Sequence, residues 1–172
     1  MDLIVAADAA WNIGSEGGLL VHSPEDLAWF RAQTKGRILL YGRLTLTSFP
    51  GGKPLPHRRN LVLSRQPDLK VEGAEVWHSP EDIVRSLSQE EWDRVMLIGG
   101  GQVYRTFLPY CRTAYVTRFA HIFPADTTFP NLDREPGWQL EDQTEWHVDK
   151  LSGVRYRFCI YRQYVPKQRE EG

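Results

Sequence analysis

The stretch Val95-Met96-Leu97-Ile98-Gly99-Gly100-Gly101-Gln102-Val103-Tyr104 reads as a buried strand that opens through three glycines into a helix. Four apolar residues in a row leave no polar face, as in a central strand of a parallel sheet covered by helices on both sides. Glycines at such a turn let a ligand's phosphates approach backbone N–H groups at the positive end of the helix. Tyr104 stands where the third glycine of G-x-G-x-x-G would be. The dinucleotide fingerprint is therefore incomplete, and a tight strand-to-helix turn without a ligand is the alternative.

Outward from this stretch, short β-rich runs alternate with helical patterns. Toward the N-terminus lie strands over Leu3–Ala7, Arg37–Tyr41, Asn60–Leu63 and Glu75–Trp77, with helices over Pro24–Gln33, near Leu44–Phe49 and over Pro80–Leu87. Toward the C-terminus come a helix over Gln102–Leu108 and a strand over Ala114–Phe119. Gln139–Glu145 and Val154–Tyr164 then read as an antiparallel pair joined around Ser152-Gly153. The expected fold is α/β: one domain over 1–165, with a central, mostly parallel mixed sheet, flanking helices and a C-terminal antiparallel hairpin. Residues 166–172 form a polar tail expected to fray.

The chain of 172 residues has the length of one ordinary domain, which leaves no room for a second fused enzyme. With 21 basic and 22 acidic residues the formal net charge is -1, so the broad attraction of a general nucleic-acid or membrane-surface binder is missing. Met1-Asp2-Leu3-Ile4-Val5-Ala6-Ala7-Asp8 carries an acid at its second position, and its apolar run is too short for a signal peptide or membrane span. A cytoplasmic monomer acting on a small molecule is expected. Cys111 and Cys159 belong to no C-x-x-C or His-rich cluster, so no metal site is expected and both read as reduced packing residues.

The pentapeptide His-Ser-Pro-Glu-Asp occurs twice, at His22–Asp26 and His78–Asp82, each copy placing Ser at a helix N-cap and Pro in the first turn. The residues after each copy tell the two apart. Asp82 reads as part of a surface cap. Asp26 precedes Leu27-Ala28-Trp29-Phe30 and shares a helix face with Leu27 and Phe30, where apolar neighbours would raise its pKa, although such a face also fits plain core. Gly42-Arg43-Leu44-Thr45 is a second strand end opening into a helix, with Arg43 able to meet an anion, and Ser64-Arg65 comes after a third strand. Three such ends favour an extended phosphorylated ligand, a dinucleotide, across the carboxyl edge of the sheet. No Gly-x-Ser-x-Gly, P-loop or nucleophile-base pattern supports a hydrolase.

In their order, Ala6-Ala7, Asn12-Ile13-Gly14, Pro24–Phe30, Gly42–Thr45, Pro54–Asn60, Ile98–Tyr104 and Asp126–Pro130 resemble the dihydrofolate reductase family over essentially the whole chain. The resemblance implies NADPH-dependent reduction of 7,8-dihydrofolate to tetrahydrofolate, with hydride transfer to C6 of the pterin and protonation at N5. It implies that Asp26 is the one ionisable group at the pterin, binding its 2-amino group and N3. Leu27, Phe30, Phe49 and Leu55 would wall the pterin and aminobenzoyl rings, and Arg58 would grip the glutamate carboxylate. Val5, Ala6, Ile98 and Thr117 would complete the substrate pocket. Ala7, Ile13 and Tyr104 would line the nicotinamide side, and Gly14, Gly18 and Leu19 would also meet the cofactor. Gly99, Gly100, Gly101 and Gln102 would meet the pyrophosphate, Arg43, Thr45, Ser64 and Arg65 the adenosine side, and Gly42, Leu44 and Val103 would also contact the cofactor. A cis peptide is implied between Gly99 and Gly100.

Three departures from the family pattern stand out. Leu20-Val21 replaces Pro-Trp or Leu-Trp at the end of the loop over the active site, removing an indole N–H donor. Leu44 and Gln102 replace further basic residues near the cofactor's 2′-phosphate, leaving that charge to Arg43 and Arg65. The run Phe49-Pro50-Gly51-Gly52-Lys53-Pro54 is one residue longer than the common form. The alternatives are the riboflavin-pathway reductase of the same fold and a nucleotide-binding protein without turnover. The first should lack both the acid before Leu-Ala-Trp-Phe and the Pro-Leu-Pro-x-Arg stretch, and only the missing loop tryptophan favours the second.

Overall fold

In the computed structural model, which describes residues 1–170, the apolar run decides the layout as expected: Val95–Gly99 is a buried inner strand, and the chain turns at Gly100 into a helix. The elements in chain order are β1 (Asp2–Ala7), β2 (Asn12–Gly14), α1 (Pro24–Thr34), β3 (Ile38–Gly42), α2 (Arg43–Leu46), β4 (Arg59–Leu63), β5 (Glu75–Trp77) and α3 (Pro80–Ser86). Next come α4 (Gln89–Arg94), β6 (Val95–Gly99), α5 (Gly101–Phe107), β7 (Thr113–Phe119), β8 (Thr127–Thr128), β9 (Trp138–Gln143), β10 (His147–Val148) and β11 (Arg155–Gln163).

One sheet runs β10-β11-β7-β1-β6-β3-β4-β5, with β9 also paired to β11, while β2 and β8 form a separate two-stranded piece. From β7 through β5 the pairings are parallel, and β11 closes the sheet antiparallel. The mixed sheet therefore matches the expectation. The chain runs from β1 to β3, β4 and β5 on one side, then passes through β6 to β7 on the other side of β1. The carboxyl ends of β1 and β6 lie at this reversal, where open α/β sheets form their ligand crevice.

The parallel strands are apolar on both faces because both are covered. Leu3, Val5, Ala7, Leu40, Leu61 and Leu97 enter one buried cluster with Val103 and Phe107 of α5. Ile4, Leu39, Tyr41, Val62 and Met96 enter another, against which Trp29 and Phe30 of α1 pack. Burial of this kind contributes roughly 25 cal/mol per Å² of apolar surface, which holds the layers together.

Three details differ from the sequence reading. The turn at Ser152-Gly153 joins β10, not β9, to β11, and β9 pairs with β11 on both sides of a bulge between Ile160 and Tyr161, so the expected two-stranded unit has three strands. Helix α4 went unforeseen. Residues 166–170 do not hang free as expected: Arg169 donates to the Val84 and Leu87 carbonyls at 3.2 and 2.6 Å and lies over the Trp92 ring. Gly172, the end of the expected tail, lies outside the described residues.

Candidate active site

The helices differ in how they begin. Ser23, Ser79 and Ser88 cap α1, α3 and α4 by accepting the backbone N–H three residues on, whereas α2 and α5 start at Gly42 and Gly100 with no side-chain cap. Those two uncapped starts come directly after β3 and β6, at the carboxyl edge of the sheet. The first N–H groups of an uncapped helix have no partner of their own, which suits an anion.

Glycine is required at this edge. Gly99 has φ +137°, outside the range of other residues, and a Cβ there would sit 2.9 Å from Thr45 Oγ1. A Cβ on Gly101 would meet Thr127 Cγ2 at 2.8 Å. The peptide between Gly99 and Gly100 is cis, as the resemblance implied. The residues thus fit a pyrophosphate-bearing dinucleotide: open backbone donors, no Cβ in the way, and exposed Arg43 and Arg65, which among the described residues make no ion pair.

Asp26 lies on the first turn of α1, its N–H donating to Ser23 Oγ at 3.2 Å. Its carboxylate accepts a hydrogen bond from Thr117 Oγ1 of β7 at 2.6 Å. Burial raises the Asp26 pKa above the ordinary value; the Thr117 bond opposes that rise, and the negative charge of Asp149 supports it. Asp149 is fully buried in the β10–β11 turn. Burial disfavours its ionisation too, but Ser152, donating from its hydroxyl at 2.6 Å and its backbone N–H at 2.7 Å, keeps Asp149 ionised below the usual carboxylate range.

The raised value bears on stability. An unfolded Asp titrates near 3.9. Because the folded value is higher, the folded chain holds its proton longer, so stability falls as pH climbs from about 4 through the raised value and does not recover above it. Asp26→Asn keeps an oxygen for Thr117 and should raise Tm at pH 7 while leaving it unchanged at pH 3. An unchanged Tm at pH 7 in thermal melts would show that the carboxylate is not penalised by burial.

Phe30, four residues past Asp26 on α1, packs partly buried with Phe49, Leu55 and Ile98 against one cluster, and Phe49 meets Tyr41 edge to face with centroids 5.1 Å apart. Leu27 is exposed on α1, one residue past the acid. Asn60, 2% exposed, holds the Leu55–Arg58 loop in place: its Nδ2 donates to the Leu55 and Arg58 carbonyls, both at 2.9 Å, and its Oδ1 accepts from the Leu55 N–H and the Tyr41 hydroxyl. Arg58 donates from Nη1 to the Pro56 carbonyl at 3.1 Å, and its Nε is buried without a partner.

Val5 and Ala7 lie in the core, so their side chains do not line an open surface, while Ala6 points to the opposite, half-buried side with Leu20 and Phe158. Ile13 packs against the main core. Tyr104 is buried, its hydroxyl donating to the Ile4 carbonyl at 2.6 Å. Leu44 is 64% exposed, Gln102 is exposed, and Val103 is buried beside Gly42. Gly14, Gly18 and Leu19 belong to a loop closed by paired bonds between Ser15 and Gly18, and Asp126 anchors it by accepting the Glu16 N–H at 2.8 Å. Val21 is buried, packing with Phe119 and Tyr156.

Sequence reasoning missed Asp8, Asn60 and Asp149 as supports. Asp8 is fully buried and accepts from the N–H groups of Ala10, Asn12 and Phe123 and from Asn12 Nδ2, all at 2.9 Å, tying the loop after β1 to the segment before β8. Cys111 and Cys159 are free and buried, and burial pushes the Cys159 thiol up to about 11, consistent with packing roles.

The family model described as dihydrofolate reductase matches residues 1–163. The chain belongs to the dihydrofolate reductase family. Dihydrofolate reductase from Mycobacterium tuberculosis is 41% identical over 163 residues, covering 92% of this chain and 95% of the relative. The Bacillus subtilis enzyme of that name is 35% identical over 161 residues, 94% of this chain and 93% of the other. Among solved structures, dihydrofolate reductase from Enterococcus faecalis, complexed with NADP(H), superimposes with a TM-score of 0.81 at 32% identity, covering 95% of each chain. The family accounts for both the mixed sheet and the glycine edge. Among the described residues no cluster of three or more His, Cys, Asp or Glu could hold a metal ion, and no helix is long and apolar enough to cross a membrane.

Proposed function

We propose that Asp26 is the acid of the reaction this family catalyses, the NADPH-dependent reduction of 7,8-dihydrofolate to 5,6,7,8-tetrahydrofolate. The observation that carries the assignment is a desolvated carboxyl with a raised pKa, bonded to Thr117, beside a sheet edge where two helices start uncapped. NADPH, when bound, supplies the hydride that adds to C6 of the pterin. Asp26 binds the 2-amino group and N3, and through them favours the proton that N5 must gain, so one proton and one hydride enter for each pterin reduced. Thr117 keeps the carboxyl oriented. Leu27, Phe30, Phe49, Leu55 and Ile98 exclude water from the rings, and Ala6, Thr117 and the backbone of Val5 form the floor. Arg58 holds the glutamate carboxylate.

On the cofactor side, the backbone of Ala7 with Ile13, Gly14, Gly18, Leu19 and Tyr104 surrounds the nicotinamide, and Gly99 to Val103 present backbone to the pyrophosphate. Gly42, Arg43, Leu44, Thr45, Ser64 and Arg65 take the adenosine end. The protein works as a cytoplasmic monomer with no nucleic-acid or membrane partner. Loss of absorbance at the NADPH band with dihydrofolate, against the same mixture with NADH, tests the reading. Binding of both ligands with no absorbance change would sink it.

Arg43 should decide between the two cofactors, since only NADPH carries the charged 2′-phosphate and a charge-assisted contact is worth roughly 1.5–3 kcal/mol. Arg43→Ala should raise the NADPH dissociation constant by about tenfold and barely change NADH binding. Equal losses in titrations with the two cofactors would remove Arg43 from the phosphate.

A further inference from the structure

In the antiparallel register of β7 and β11, Arg118 and Arg157 stand directly opposite each other. Such partners point to one face of the sheet about 5 Å apart, and like charges so placed repel. Successive strand residues alternate faces, so Arg118 points away from Thr117 and from the Asp26 that Thr117 bonds. Arg155, two residues before Arg157, shares the arginine face.

Tryptophans hold these side chains in place. Arg118 lies over the Trp11 ring and Arg157 over the Trp146 ring, each 4.0 Å from the centroid, and Arg155 reaches Trp146 at 5.3 Å. A ring face orients a cation but does not neutralise it. The one carboxylate bonded to them is Asp133, which accepts from Arg118 Nη1 at 3.3 Å and from the Tyr161 hydroxyl at 2.8 Å. Arg157 Nη1 donates to the neutral Gln143 side chain at 2.7 Å, and among the described residues neither Arg155 nor Arg157 makes an ion pair. Three positive charges thus meet one bonded acid, on a chain whose net charge is -1. In Arg118 and Arg157 alike, Nε is buried without a partner, whereas Nη2 is not buried and makes no hydrogen bond among the described residues. Cys159, two residues past Arg157 on the same face, feels both charges: burial pushes its thiol up to about 11, and the two arginines oppose that rise.

We propose that Arg118 and Arg157 form a second anion site, on the sheet face away from Asp26, for a doubly charged oxyanion: inorganic phosphate or the phosphate end of a monoester. The two open Nη2 groups are its donors, and Arg155 adds charge at the rim. A dianion offsets the two charges that the register sets side by side, and its oxygens match the directional N–H groups of a guanidinium. The site shares no residue with the glycine edge or with Arg43 and Arg65, so it stands apart from the cofactor reading.

Burial shelters the Nε hydrogens of Arg118 and Arg157 from exchange with water, so their ¹⁵N–¹H signals report on each guanidinium. Titrating the full chain with inorganic phosphate at pH 7.5 should move both signals together and saturate them, with half-effect on the order of 1 mM, the strength of two charge-assisted contacts. Glycerol 1-phosphate separates the sources: a matching response assigns the phosphate group, and a response to inorganic phosphate alone assigns the free ion. Sodium chloride at equal ionic strength should move neither signal, and bound NADP⁺ should leave the phosphate response unchanged. Arg157→Gln should weaken phosphate at least about fivefold, as loss of one partly exposed charge pair does. Signals that drift without saturating, or that follow chloride equally, mean an adventitious ion only and overturn the proposal. A response that vanishes once NADP⁺ is bound places the ion in the cofactor's own site and overturns it as well. So does Arg157→Gln binding phosphate as tightly as wild type. If that variant does not fold, the wild-type titrations with phosphate, chloride and NADP⁺ decide.

Discussion

Asp26→Asn is expected to slow hydride transfer to dihydrofolate at least about a hundredfold at neutral pH, within the range of general-acid effects, while Asp82→Asn turns over like wild type. The two residues make a controlled pair. Each comes after Ser-Pro-Glu, and each donates its N–H to the capping serine at 3.2 Å, so local capping does not distinguish them. Their surroundings do. The Asp82 carboxylate is open to water, and bonds from Arg85 and Ser79 hold its pKa below the ordinary value, leaving it ionised at any working pH. Asp26 is withdrawn from water next to Thr117, and that burial raises its pKa and keeps a proton available. Asparagine preserves its shape and removes that proton. Wild-type activity should fall as pH rises through the raised carboxyl value, and the inflection should vanish in Asp26→Asn. Equal single-turnover rates for the two variants with saturating NADPH would reduce Asp26 to a helix cap and require another proton source.

The extent to which this was legible depends on how local each signal is. β6 could be read because an inner parallel strand must be apolar on both faces, and the glycines after it because only glycine fits against Thr45 and Thr127. Helix α4 escaped because only Trp92 of its six residues is buried, which leaves no periodicity, although Ser88 and Glu91 form a capping box that could have been noticed. β2, β8 and β10 are two or three residues long, too short for alternation to register. Among the site supports, Asp8 receives the Phe123 N–H from 115 residues away, and no spacing rule reaches that far. Asn60 was legible only as a strand residue, since its role arises from a loop folding back over its own strand. For Asp26 the pentapeptide offered two equal candidates. The apolar Leu27-Ala28-Trp29-Phe30 after the first copy told them apart, while the contact with Thr117, on a strand 91 residues later, lay beyond any local pattern.

Arg58→Leu should weaken dihydrofolate binding by about tenfold to a hundredfold and leave NADPH binding unchanged. The geometry supplies the reason. Asn60 fixes the Arg58 carbonyl, and Nη1 is spent on the Pro56 carbonyl at 3.1 Å, so the guanidinium is oriented before any ligand arrives. Its Nε makes no hydrogen bond within the chain, which leaves it for a ligand. Nε and Nη2 share one edge of the guanidinium, and that edge matches the two oxygens of a carboxylate in a forked contact. A bidentate charge-assisted pair of this kind is worth roughly 1.5–3 kcal/mol, the source of the expected factor. Leucine fills similar space and offers no donor, so the loss should track the tail and not the ring. 7,8-Dihydropteroate, which lacks the glutamate, makes the decisive comparison: wild type and variant should use it with similar KM. A defect as large on that substrate as on dihydrofolate would mean that Arg58 supports the pocket wall through Leu55 and that the glutamate is held elsewhere.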